Sequence, residues 1–108
     1  MSVYHVAQWS VGGADAEACE KAIEAMAEHV RTVHPTVASF RIYRQLFGPL
    51  PWRGYLCHAE YENLVALEAD PDTPACDEAW APIFAVTQPG SFAMSIWSDP
   101  QRATWFER

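Results

Sequence analysis

The sequence predicts an α+β domain in which strands and helices follow in the order β-α-β-β-α-β. Three observations carry this. Four separate stretches alternate between two faces with a period of two, the long segment after the first of them switches to a helical period, and a proline-broken helical region precedes the last. That order is the ferredoxin-like split βαβ arrangement, two helices packed on one face of a four-stranded antiparallel sheet. The whole chain, 1–108, reads as one domain, and its 50% apolar share excludes a disordered polymer.

Each element has its own signature. From Ser2 to Val11, Val3, His5, Ala7, Trp9 and Val11 share one parity and Tyr4, Val6, Gln8 and Ser10 the other; Gly12-Gly13 ends the strand. From Ala14 to His34, the stripe Cys19, Ala22, Ile23, Met26, Val30 and Val33 repeats at helical spacing. Asp15, Glu17, Glu20, Lys21, Glu24 and Arg31 lie opposite, early acids and late bases suit the helix dipole, and Pro35 stops the helix. A second strand is expected over Val37–Phe47, with Phe40, Ile42 and Leu46 on one face and Arg41 and Tyr43 on the other. Gly48-Pro49-Leu50-Pro51 turns the chain into a third strand over Gly54–Glu62. There Tyr55, Cys57, Ala59 and Tyr61 face away from Leu56, His58, Glu60 and Glu62.

Asn63 is placed to cap a short helix reaching Ala69, which Asp70-Pro71-Asp72 interrupts. Thr73-Pro74 reads as an N-cap followed by proline at the first helical position. This second helical piece carries Cys76, Trp80, Ile83 and Phe84 on one side, with Pro82 expected to kink or restart it. Pro89-Gly90 closes the region, and a fourth strand over Ser91–Ser98 turns Phe92, Met94 and Ile96 one way. Trp105 and Phe106 in the tail are expected to dock on the body of the protein.

The charge balance narrows the partners. Fourteen acidic residues against seven basic ones leave a net charge of −7, which argues against nucleic acid and anionic membranes, since both require a basic face. No charged leader and no membrane-length apolar run is present, and Cys19, Cys57 and Cys76 are odd in number with no paired spacing. A cytoplasmic protein with reduced thiols is therefore expected. With one sheet face left without helices, a set such as Trp9, Tyr43, Tyr55 and Trp97 would form a large exposed patch, and a homodimer packing sheet against sheet is the economical cover.

Several stretches together resemble the dimeric α/β-barrel superfamily, which includes antibiotic-biosynthesis monooxygenase-like proteins and stress-responsive barrel and polyketide-cyclase-like proteins. They are Val3–Val11, Glu28-His29-Val30-Arg31-Thr32-Val33-His34-Pro35 running into Ser39–Arg44, Gly54-Tyr55 through Glu60, and Thr73-Pro74-Ala75-Cys76. The resemblance spans almost the whole chain and rests on pattern. It implies a dimeric barrel with a hydrophobic pocket between sheet and helices in each subunit.

Candidate chemistry follows from both sources. His5, mid-strand among apolar neighbours, reads as a hydrogen-bonded core histidine or, as the resemblance to the cyclase branch implies, as a pocket acid/base. That branch carries a second pocket histidine where this chain has Cys76, either an inert buried thiol or a reactive one; the departure counts against cyclase chemistry and against haem degradation. His29 lies at the edge of the first helix's apolar stripe, able to line the pocket or reach its rim. His58, Glu60 and Glu62 stand in a row roughly 7 Å apart, but no further cluster converges on them, so no metal site is expected. Trp9, Tyr55 and Trp80, with Tyr43, Phe84 and Trp97, exceed what a small core needs and suit the walls of a pocket for a planar hydrophobic molecule, or else fill core and interface.

No Gly-rich phosphate loop, nucleophile elbow or Ser/His/Asp spacing is found, so no cofactor is expected. The reading is a small-molecule enzyme, with cofactor-independent monooxygenation of a planar aromatic or polyketide-like substrate first and cyclisation or isomerisation second. His5 is its catalytic residue, and Trp9, His29, Tyr55, Cys76 and Trp80 are its substrate-binding set. The competing class is a non-catalytic ligand-binding homodimer.

Overall fold

A computed structural model describes residues 1–70, 74–102 and 106–108. It contains β1 (Val3–Val11), α1 (Ala16–Val33), β2 (Val37–Arg44), β3 (Arg53–Tyr61), the short α2 (Leu64–Glu68), α3 (Pro74–Val86) and β4 (Ala93–Ser98), with one 3-10 turn at Gly13–Asp15 before α1. The strands form an antiparallel sheet in the order β2-β3-β1-β4, as the ferredoxin-like order requires. Among the described residues, no helix is long and apolar enough to cross a membrane.

Strand parity sorts the chemistry. β1 pairs Trp9 with Tyr55, Ala7 with Cys57 and His5 with Ala59 on β3, and Ala7 with Met94 and His5 with Ile96 on β4. These residues share the face covered by α1 and α3, together with Phe40 and Ile42 of β2, which pair with Ala59 and Cys57. Ala7, Trp9, Val11, Cys19, Met26, Tyr55, Cys57 and Ile83 form the buried core beneath the helices. The expected bare-face patch of Trp9, Tyr43, Tyr55 and Trp97 is therefore split. Trp9 and Tyr55 are buried under the helices, while Tyr43 and Trp97 stand on the open face, 48% and 61% exposed.

Local signals account for the helix boundaries. Asn63 accepts a hydrogen bond from the Ala66 N–H at 2.9 Å, the expected cap of α2. Pro74 begins α3, and the helix runs on through Pro82 to Val86 where a kink or restart was expected. The proposed N-cap Thr73 and the tail residue Trp105 lie outside the described residues. Phe106 is 74% exposed and does not dock; the Arg108 guanidinium lies over its ring, 5.1 Å from the centroid.

β2 is shorter than expected. After Arg44 the Gln45 side chain folds over the following loop, its Nε2 donating to the Leu50 carbonyl at 2.9 Å and its Oε1 accepting from the Leu50 N–H at 3.2 Å. Gly48 (φ 153°) lies so close to that side chain that a Cβ there would overlap it. The loop leaves Leu46 and Phe47 exposed, so Leu46 does not continue the inner face.

Two outcomes follow. Ile83→Ala, at a fully buried position, is expected to cost about 2–5 kcal/mol in urea unfolding. Burial pushes the Cys57 thiol up to about 12 and raises Cys19 as well, so both stay protonated at mildly alkaline pH, whereas Cys76 is only partly buried. Brief alkylation followed by peptide mass spectrometry is expected to label Cys76 in the native protein, and Cys19 and Cys57 only after denaturation.

Candidate active site

Small residues on the sheet leave space beneath the helices at one end of the fold. His5, Cys57 and Ala59 form the sheet side of a cavity of about 520 Å³, with Met94 and Ile96 of β4 extending that side. α1 contributes Met26, His29 and Val30, and α3 contributes Cys76, Trp80 and Phe84. Aromatic rings make one wall: Trp80 stacks on Phe84 with centroids 5.5 Å apart, and Phe92 meets both edge-on at 6.0 and 5.0 Å. A concave, largely apolar space with a few convergent polar groups is the usual form of a small-molecule site.

The polar groups gather where three elements end. Pro35 stops α1, and His34, at φ −114° and ψ 74°, leaves helical geometry while its N–H still bonds the Val30 carbonyl at 3.0 Å. This turn carries the His34 ring to 8% exposure beneath the end of α2. Its Nδ1 lies 2.6 Å from Asp70 Oδ1, and the Tyr61 hydroxyl donates to Asp70 Oδ2 at 2.7 Å. Asp70 thus takes both partners on its two carboxylate oxygens, and the His34 ring, held through Nδ1, turns its Nε2 away from Asp70. That Nε2 is 3.1 Å from His29 Nε2 and 3.2 Å from Cys76 Sγ. Burial and then the Asp70 carboxylate raise the Tyr61 hydroxyl above the ordinary tyrosine value, which keeps it a donor.

His5 stands apart from this cluster, on the sheet side. No side chain or backbone group among the described residues is hydrogen-bonded to its ring. Desolvation lowers its pKa below the ordinary histidine value, partly opposed by the Asp70 carboxylate, so the ring is neutral at neutral pH.

Four of the six residues read from the sequence, His5, His29, Cys76 and Trp80, line this one cavity. Trp9 and Tyr55 do not. They share the inner face with His5 but lie about 13 Å further along the strands, where α1 and α3 close on the sheet. Trp9 is fully buried, edge-on behind Trp80 at 5.8 Å and stacked on Tyr55 at 6.0 Å. Tyr55 spends its hydroxyl on Glu20 at 2.8 Å, at the far end of the core. Both back the aromatic wall and neither forms its surface. His34, Asp70 and Tyr61 were missed as site residues. No short motif joins them, and the proline after His34 and the Asn63 cap that sets out α2 were the only traces of their positions.

No protein-family model and no curated protein matches the sequence. Solved structures do. A candidate antibiotic biosynthesis monooxygenase from Caulobacter crescentus superposes with a TM-score of 0.74 at 20% identity, covering 89% of this chain and 87% of its own. SnoaB, a cofactor-independent oxygenase from Streptomyces nogalater, gives 0.73 at 15% identity over 96% and 98%. A dimeric ferredoxin-like protein of unknown function from Jannaschia gives 0.67 at 17% identity over 91% and 99%. The protein thus has the ferredoxin-like fold of the antibiotic biosynthesis monooxygenase-like and SnoaB-like proteins, the fold that its resemblance to the dimeric α/β-barrel superfamily implied.

Proposed function

We propose that the protein binds a planar aromatic, polyketide-like molecule in the cavity and oxygenates it, the substrate's own ring supplying the electrons. The observation that carries this reading is a neutral imidazole, His5, facing an apolar space walled by Trp80, Phe84 and Phe92. Flat aromatic walls stack on a flat ligand, and a base set on the sheet side stands beside it. SnoaB, a cofactor-independent oxygenase, shares the fold, and the sequence carries no phosphate-cradling motif for a nucleotide cofactor.

In this mechanism a hydroxyarene gives its phenolic proton to His5. The resulting phenolate is electron-rich at the carbon para to oxygen, and dioxygen bonds there. His5 returns the proton to give the hydroperoxide; its O–O bond then breaks, and loss of the hydrogen from the same carbon releases water and leaves a quinone. Overall, hydroxyarene and dioxygen become quinone and water. Trp80 and His29 shape the space, and Cys76 lines its far side.

We further propose that the working form is a cytoplasmic homodimer closed through the open sheet face. Tyr4, Val6, Leu56, His58 and Trp97 line a shallow depression on that face, with Tyr4 stacked on His58 at 5.1 Å. A polar and apolar mixture of this kind, with Tyr43 and Trp97 exposed, supports a sheet-to-sheet contact. Light scattering is expected to give the mass of two chains, and Leu56→Glu with Trp97→Glu the mass of one; a monomeric parent protein would overturn the dimer.

The activity is tested with dithranol, a hydroxylated anthrone, by oxygen uptake and quinone absorbance. One quinone is expected per dioxygen consumed. His5→Ala is expected to lower kcat by about 10²–10⁴-fold, and Trp80→Ala chiefly to raise KM. Because desolvation lowers the His5 pKa, the rate falls only as pH drops below the ordinary histidine range and His5 becomes protonated. Undiminished turnover by His5→Ala would remove His5 from the mechanism.

A further inference from the structure

The cluster at the far end of the cavity has a geometry that proton transfer by His5 does not require. His29 comes from α1, His34 from the turn that ends it, and Cys76 from the first turn of α3. One donor atom from each lies within 4.8 Å of the other two. We propose that His29, His34 and Cys76 form a binding site for a borderline-soft divalent cation, of which Zn²⁺ is the type, with a fourth position open to the cavity.

The distances are those of a nearly assembled site. Zinc binds imidazole nitrogen at about 2.0–2.1 Å and thiolate sulfur at about 2.3 Å, which puts neighbouring tetrahedral donors about 3.3–3.6 Å apart. Here His34 Nε2 is 3.1 Å from His29 Nε2 and 3.2 Å from Cys76 Sγ, and all three donor atoms lie within 4.8 Å of one another, so side-chain adjustment without movement of the elements brings them to tetrahedral spacing. Binding replaces the Cys76 thiol proton with the metal–sulfur bond and releases that proton to solvent; both imidazoles coordinate as neutral rings.

The surroundings supply the outer contacts that a ligating histidine usually has. Asp70 holds His34 through Nδ1 at 2.6 Å, which fixes Nε2 as the coordinating atom, and Tyr61 holds Asp70 in turn at 2.7 Å. The donor set also selects the ion. A thiolate and two imidazoles suit Zn²⁺ or Co²⁺, and with no carboxylate among the three ligands, Mg²⁺ and Ca²⁺ are poorly served. The site goes beyond the oxygenase reading and does not depend on it, because there His29 and Cys76 only line the space and the proton transfer falls to His5.

Co²⁺ titration of the chelator-treated, reduced protein, without substrate, tests the site directly. A near-ultraviolet thiolate-to-cobalt charge-transfer band with intense visible bands of four-coordinate cobalt is expected, and equimolar Zn²⁺ is expected to abolish both. Cys76→Ser is expected to lose the charge-transfer band while its circular dichroism is unchanged. Asp70→Asn is expected to keep the band and weaken affinity about 10–100-fold. Zn²⁺ is also expected to raise the Tm of the parent protein and not that of His29→Ala. A weak spectrum of six-coordinate cobalt, or a charge-transfer band that survives Cys76→Ser, would overturn the proposal. Neither outcome touches dithranol turnover, so the two readings fail separately.

Discussion

The position of β1 constrains everything else. It is hydrogen-bonded on both sides, to β3 and β4, so its backbone cannot slip without breaking two ladders. Its inward parity therefore commits Val3, His5, Ala7, Trp9 and Val11 to the helix-covered face as a set. One strand consequently supplies the centre of the core and the histidine in the cavity, and the difference between them is only distance along the strand.

Side-chain volume then divides that face into a closed end and an open end. At Trp9 and Tyr55, large rings meet Cys19, Ala22 and Ile83 from the helices, and the packing is complete. At His5, the strand partner is Ala59, and Cys57 and Ala59 leave the helices without large side chains to rest on. Met26, Trp80 and Phe84 line the helix side of the space instead. Trp9 holds the edge of Trp80, so the core at one end fixes the wall of the cavity at the other. The cavity is a consequence of where small residues fall in the two central strands.

Much of this was legible along the chain because it depends on neighbours in sequence. Period-two alternation located all four strands, the stripe from Cys19 to Val30 located α1, and the Asn63 cap and Pro74 located the starts of α2 and α3. Four residues weighed as pocket lining, His5 and Cys76 among them through the family resemblance, lie on the cavity. What was not legible depended on depth and on distant partners. Parity grouped Trp9 with His5 and Tyr55 with Cys57 and Ala59, but it left open whether that face was the bare one and said nothing of which end the helices seal. Alternation in Leu46 suggested strand, but the Gln45–Leu50 hydrogen bonds outcompete strand pairing there. Phe106 is apolar, but hydrophobicity alone does not provide a surface to pack on.

The sequence by itself determined the order of elements, which residues share a strand or helix face, and the inclusion of His5 in the first strand, since each is set by local periodicity and by residues that start or stop a helix. Only the tertiary structure brought His34, Asp70, Tyr61, His29 and Cys76 to one end of one cavity. Thirty-six positions separate His34 from Asp70 and forty-two separate it from Cys76. No local rule spans such intervals. The antiparallel sheet folds the end of β3 beside the start of β2, and α2 and α3 then carry Asp70 and Cys76 back across it.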